Sequence, residues 1–139
     1  MNICALIVDD SEIMRKHTKM ALADFVKEAS CGSNIELTIA EASNGKEALK
    51  KLMNNPINLV LLDWSMPELS GIDFLKTVRT MEAYKSLPVI MITGEKDKTS
   101  VIEALKYGAS DYMVKPIDRQ LFIEKLFTVF NLQRSTGKK

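Results

Sequence analysis

Short apolar runs alternating with amphipathic segments constrain the fold of this chain more than any other feature. Five times in succession, a strand-like stretch is followed by one with helical spacing of its apolar residues. The runs ICALIV, NLVLL and LPVIMI, the first, third and fourth, are unbroken and read as strands covered on both faces. The second, Ile35 to Ala40, alternates: Ile35, Leu37 and Ile39 are interleaved with Glu36 and Thr38, which marks an edge strand. DYMV is the fifth. Between them, Ser11 caps a helix to about Lys27 whose apolar stripe is Met14, Ala21, Leu22 and Phe25. Asn44 with Glu47, and Ser70 with Asp73, have capping-box spacing and open helices to about Met53 and Met81. Ser100 with Glu103 suggests a fourth helix, which Gly108 ends as a C-terminal cap. A fifth runs from Asp118 to about Leu132.

Strict strand–helix alternation implies right-handed crossovers and a parallel sheet. With the second strand at an edge and the first, third and fourth central, the expected order is 2-1-3-4-5. That is an α/β, flavodoxin-like, doubly wound five-stranded parallel sheet with five helices. One domain is expected over residues 1–132, followed by a short C-terminal tail, 133–139.

The first, third, fourth and fifth runs each end in polar chemistry. Asp9 and Asp10 follow the first strand, Asp63 the third, Thr93 the fourth and Lys115 the fifth. In an open parallel sheet the carboxyl ends of the strands line one edge, and ligands bind in the crevice at the switch point, here between strands one and three. Three carboxylates, a hydroxyl and an ammonium would therefore converge. Two carboxylates about 4 Å apart repel by about 4 kcal/mol at an effective dielectric near 20. Three cannot stay ionised together without cations or proton uptake. Lys115 supplies one positive charge, and Mg²⁺ suits the rest because it binds through a few carboxylates and keeps several waters. An oxygen-only donor set disfavours zinc and copper. His17 has no Cys or His partner at ligand spacing and reads as a surface or packing residue. One carboxylate in such a site can act as a nucleophile toward phosphorus, and phosphoryl transfer needs chiefly positioning and charge neutralisation.

Composition narrows the class. The chain has 139 residues, 46% of them hydrophobic, enough for a core, and a net charge of +1 gives no bulk attraction to nucleic acid or an anionic membrane. No apolar run approaches the roughly 20 residues of a membrane span, and no basic leader precedes the first strand. Cys4 lies inside a strand and Cys31 in a polar connection, a usage suited to a reducing cytoplasm.

The segments LIVDDS, LLDWSMPELSG, MITGE and DYMVKP together resemble the receiver domain of two-component response regulators, over residues 1 to about 132. The Asp-Trp and Met-Pro features resemble stand-alone chemotaxis receivers (CheY-like) in particular. Two departures are visible: Ser70 stands where the family often has Asp before the loop glycine, and the connection around Cys31 is long. The resemblance implies that Asp63 accepts a phosphoryl group from a sensor histidine kinase. It also implies that Asp9, Asp10, Asp63 and the Ser65 backbone carbonyl hold Mg²⁺. Thr93 and Lys115 would engage the phosphoryl oxygens, Lys115–Pro116 would be cis, and Thr93 and Tyr112 would be coupled as a switch. The domain would catalyse its own phosphorylation and dephosphorylation without being an enzyme in the ordinary sense.

Other occupants of similar sheets fit poorly. Asp9-Asp10 would repel a flavin phosphate, a dehalogenase-like phosphatase separates its two Asp by one residue, and no Gly-Lys-Ser/Thr phosphate loop is present. Two signalling roles remain: a switch that binds a target when phosphorylated, and a phosphorelay shuttle to a histidine phosphotransfer partner. With no effector segment after the fifth helix, output is expected through protein contact. Its expected place is the face of the fourth helix, fifth strand and fifth helix, including Lys106, Tyr107 and Phe122. The last helix carries Leu121, Phe122, Ile123, Leu126, Phe127, Val129 and Phe130, to be divided between a wide core face and a partner surface. A monomer is expected, with dimerisation on phosphorylation as the alternative.

Overall fold

The structure, a computed structural model, describes residues 1–30, 34–63, 70–94 and 98–132. Its strands are β1 (Asn2–Val8), β2 (Glu36–Ala42), β3 (Leu59–Asp63), β4 (Val89–Thr93) and β5 (Asp111–Val114). Its helices are α1 (Glu12–Ala29), α2 (Gly45–Asn54), α3 (Gly71–Arg79), α4 (Lys98–Lys106) and α5 (Arg119–Val129), with a 3₁₀ turn at Glu82–Tyr84. The five strands form one parallel sheet in the order β2-β1-β3-β4-β5, as the strand patterns imply.

Both faces of the sheet are covered, which is why the central strands lack alternation. Cys4, Leu6 and Val8 of β1, Val60 and Leu62 of β3, and Val89 and Met91 of β4 join one core, with Phe74, Leu75 and Val78 of α3. The intervening Ile3, Ala5, Ile7, Leu59, Leu61, Ile90 and Ile92 join the other, with Phe25 of α1 and Phe122, Leu126 and Phe127 of α5. β2 is the half-exposed edge its alternation suggested.

The caps follow the sequence. The side chains of Ser11, Asn44, Ser70 and Asp118 accept from the N–H groups of Met14, Glu47, Asp73 and Leu121. α1 runs two residues past Lys27, to Ala29, and four other boundaries differ. The third helix stops at Arg79, two residues short of Met81, because Met81 N–H turns back to the Val78 carbonyl at 3.1 Å, a tightened last turn. Ser100 is not a cap, since helical backbone is already under way at Lys98. α5 ends at Val129, not Leu132: Asn131 takes a positive φ of 54° and Leu132 N–H returns to the Phe127 carbonyl at 2.8 Å. β2 starts at Glu36 and runs two residues beyond Ala40, because Asp9 N–H bonds the Ala42 carbonyl at 3.0 Å and extends the β1–β2 ladder. Gly108 does follow α4 in a left-handed conformation, φ 102°. Cys31 and the 133–139 tail lie outside the described residues.

Much of the apolar surface of α5 is core. Phe122, Ile123, Leu126 and Phe127 are buried, and Phe25 meets Phe127 edge-on at 5.2 Å and stacks on Phe130 at 6.2 Å. Phe122 is fully buried and is not part of any outer face, a correction forced by its position on the sheet side of α5. Leu121 is the exposed member. Among the described residues no helix is long and apolar enough to cross a membrane.

Candidate functional site

The register of the sheet builds the site. Val8 pairs with Leu62, so the next residues along, Asp9 and Asp63, stand side by side where the two strands end. Asp63 pairs with Ile92, which sets Thr93 one step further on the adjoining strand. Thr93 in turn pairs with Val114, which delivers Lys115 to the same edge; Lys115 N–H bonds the Thr93 carbonyl at 2.7 Å.

Carboxylate oxygens of Asp9, Asp10 and Asp63 lie within 4.8 Å of one another. Asp9 and Asp63 are buried and Asp10 is exposed. The Lys115 ammonium reaches Asp9 Oδ2 at 3.1 Å and Asp63 Oδ1 at 3.2 Å. Lys115–Pro116 is cis. Burial, then the neighbouring Asp9 charge, push the Asp63 carboxyl above its ordinary range, and the Lys115 ammonium offsets this only in part. Burial also works against the Lys115 ammonium, but its hydrogen bond to Asp9 and the charges of both carboxylates outweigh it, so its pKa is raised.

Three carboxylates and one ammonium leave two negative charges in a half-closed site. The donors are hard oxygens clustered at one point, two of the three carboxylates are buried, and the Lys115 ammonium is shared between those two. That chemistry fits a hard divalent cation such as Mg²⁺. No Cys or His joins the cluster among the described residues. His17, exposed on α1, lines a shallow cleft with Met14, Met20 and Pro116.

The structure thus brings together Asp9, Asp10, Asp63 and Lys115, with Thr93 buried at the same edge. Ser65 and Trp64 lie outside the described residues. Tyr112 is half-buried within β5, packed against the core that includes Ala104 and Ala109. A Cβ added at Gly94, the residue after Thr93, would meet nothing within 4 Å.

Two further residues support the site. Ser11 was expected only as a cap, yet its N–H also donates to Asp9 Oδ1 at 2.9 Å. Arg15 Nη1 donates to the Asp9 carbonyl at 2.7 Å while its Nε holds Glu41 Oε1 at 3.0 Å. Lys19 holds the other Glu41 oxygen at 2.7 Å. Its Lys19 hydrogen bond, outweighing burial, keeps Glu41 below the usual carboxylate range. The Asp9 backbone is therefore pinned from α1 and from β2 at once. Arg15 falls one turn after the Ser11 cap, but no spacing rule links it to Glu41 across the intervening loop.

Comparison with known proteins agrees with this geometry. The response regulator receiver domain family matches residues 5–127. Chemotaxis protein CheY1 of Helicobacter pylori is 42% identical over 125 residues, which cover 89% of this chain and 94% of that protein. Chemotaxis protein CheY-3 of Vibrio cholerae is 40% identical over 129 residues, covering 93% and 92%. Among solved structures, the chemotaxis response regulator CheY4 of Vibrio cholerae superposes with a TM-score of 0.78 at 28% identity, covering 93% of this chain and 99% of that one. With a matching profile over most of its length, relatives at this identity and the parallel sheet that such domains share, the chain belongs to the response regulator receiver domain family.

Proposed function

We propose that this domain is a phosphorylation-controlled switch in chemotaxis-type signalling, with Asp63 as the phosphoacceptor. The observation that carries the proposal is Asp63 itself. It is a buried carboxylate at the end of β3, held at 3.2 Å by the Lys115 ammonium, with the oxygens of Asp9 and Asp10 close by.

An Asp63 oxygen attacks the phosphorus of a phosphohistidine on a sensor kinase. The P–O bond forms as the P–N bond breaks, the bonding pair stays on the imidazole nitrogen, and the resulting aspartyl phosphate stores the signal. Asp9, Asp10, Asp63 and the Ser65 carbonyl would hold Mg²⁺, which neutralises charge on the transferring group when bound. Lys115 leaves its shared position between Asp9 and Asp63 to pair with a phosphoryl oxygen. The Thr93 hydroxyl donates to another, and the Tyr112 ring turns inward into the space vacated. Water attack on the acyl phosphate later returns Asp63 and inorganic phosphate. Output passes through the outer face of α4, β5 and α5, where Ile102, Leu105 and Leu121 are exposed. The working form is a cytoplasmic domain over residues 1–132, monomeric before phosphorylation.

Acetyl phosphate with Mg²⁺ tests the assignment. Intact mass and phosphate-affinity gels should show one added phosphoryl group on the wild type and none on Asp63→Asn. Persistent labelling of Asp63→Asn at wild-type stoichiometry would overturn it.

A further inference from the structure

Tyr112 has a neighbour on the far side of its strand. Successive β5 side chains leave opposite faces, so Asp111 and Met113 project toward α5 while Tyr112 projects toward α4. β5 is the last strand of the sheet, and among the described residues no strand pairs with its outer edge. Lys125 of α5 reaches around that edge. Its ammonium holds Asp111 Oδ1 at 2.9 Å and lies 5.6 Å from the centroid of the Tyr112 ring, inside the range of cation–π attraction. The same Asp111 oxygen accepts the Tyr112 N–H at 2.8 Å, so one carboxylate fixes both the cation and the backbone that carries the ring. The Lys125 and Asp111 side chains are only 19% and 30% exposed, which spares the pair much of the screening of an open surface.

We infer that the Asp111–Lys125 pair is an electrostatic latch that holds the Tyr112 ring at the sheet edge until Asp63 is phosphorylated. An inward swing toward Thr93 carries the ring face away from an ammonium that Asp111 keeps on the α5 side. The resting state therefore gains an attraction that the inward state lacks, and only a differential interaction of this kind can set the balance between two conformers. Lys125 is in this sense a positioning residue for the switch. The inference rests on the proposed role of Tyr112 and adds what sets its resting population.

Tyrosine ring NMR on ¹³C-tyrosine-labelled protein reads the latch directly, with beryllofluoride as the phosphoryl mimic. Lys125→Met keeps the length of the apolar stem and removes the charge. Without beryllofluoride, its Tyr112 signal should move along the line joining the free and beryllofluoride-bound wild-type positions. The expected rise in inward population is about two- to fivefold, the factor a cation–π contact at a partly exposed ring is worth. Asp111→Asn, which frees the ammonium without deleting it, should move the signal less in the same direction. Lys125→Arg should restore the wild-type position, which lost packing alone would not explain. If Lys125→Met leaves the Tyr112 signal at the free wild-type position, or moves it away from the bound one, while beryllofluoride shifts the wild type normally, the latch is wrong and the switch stands. If beryllofluoride moves amides around Asp63 but never Tyr112 in the wild type, switch and latch fall together.

Discussion

Asp63 is costly to the resting protein because its charge is buried beside Asp9, with an ammonium that it must share. Its pKa is raised in the fold, so between its ordinary value of 3.8 and the folded value the native state binds more protons than the unfolded chain. Stability then falls as pH rises through that window, the reverse of an ordinary salt-bridged aspartate. Asp63→Asn removes this loss. In EDTA at neutral pH the variant should unfold about 1–3 kcal/mol later than the wild type, the range of a single buried substitution. The gain should shrink toward zero as pH falls below 3.8, where both proteins are neutral at this position. Urea melts across that pH range decide the matter; a gain that is the same at every pH would mean that charge is not its source. Asp9→Asn should gain less, because Asp9 also accepts the Ser11 N–H. The site's carboxylates, Thr93 and Lys115 were legible in the sequence because each directly follows or ends an apolar run. Arg15 and Lys125 were not, since their partners Glu41 and Asp111 are 26 and 14 residues away and meet them only once the fold is built.

At the scale of elements, the joint between α4 and β5 is held from outside by α3. Arg79 donates to the Gly108 carbonyl from Nη2 at 2.7 Å and from Nε at 3.1 Å, and to the Tyr84 carbonyl at 2.8 Å. One turn earlier, the Lys76 ammonium lies 4.2 Å from the centroid of the Tyr107 ring. Gly108 is required twice over: its φ of 102° disfavours any side chain, and an added Cβ would come within 3.0 Å of Arg79 Nε and 3.2 Å of its Cγ. Gly108→Ala should therefore destabilise by about 1–3 kcal/mol through backbone strain, with further loss if the guanidinium is displaced. Thermal melts of Gly108→Ala, Arg79→Met and the double variant would separate the two causes: a double variant that loses the full sum leaves strain as the whole of the glycine effect, and one that loses less than the sum assigns the difference to the displaced guanidinium. The glycine was legible as a stop signal, whereas the arginine clamp was not, because carbonyl acceptors carry no sequence identity. The same reason explains the helix ends that sequence overran at Met81 and Leu132, which are set by backbone turns that many sequences permit.

Across the whole molecule, the sheet divides the labour between its two faces. The face covered by α1 and α5 is sealed by Phe25, wedged between Phe127 and Phe130, with Leu22, Phe122 and Leu126 fully buried beside it. The other face carries α4 and the half-buried Tyr112. The unbroken strands announced that both faces were covered, but could not say which helices would lie together, since that follows from the crossover geometry. The apolar excess of α5 is mostly spent on α1 and the sheet, which makes this face a rigid support for the acid-bearing turn that follows β1. Phe25→Ala should accordingly lower stability by about 3–5 kcal/mol, the cost of emptying a large aromatic site. Leu121→Ser, at the exposed end of the same apolar set, should change it by less than about 0.5 kcal/mol. Denaturant unfolding of both variants measures this contrast. A small loss at Phe25 would mean that α1 and α5 are not fused into one core, and a large loss at Leu121 would mean that its exposure is not that of the folded protein in solution.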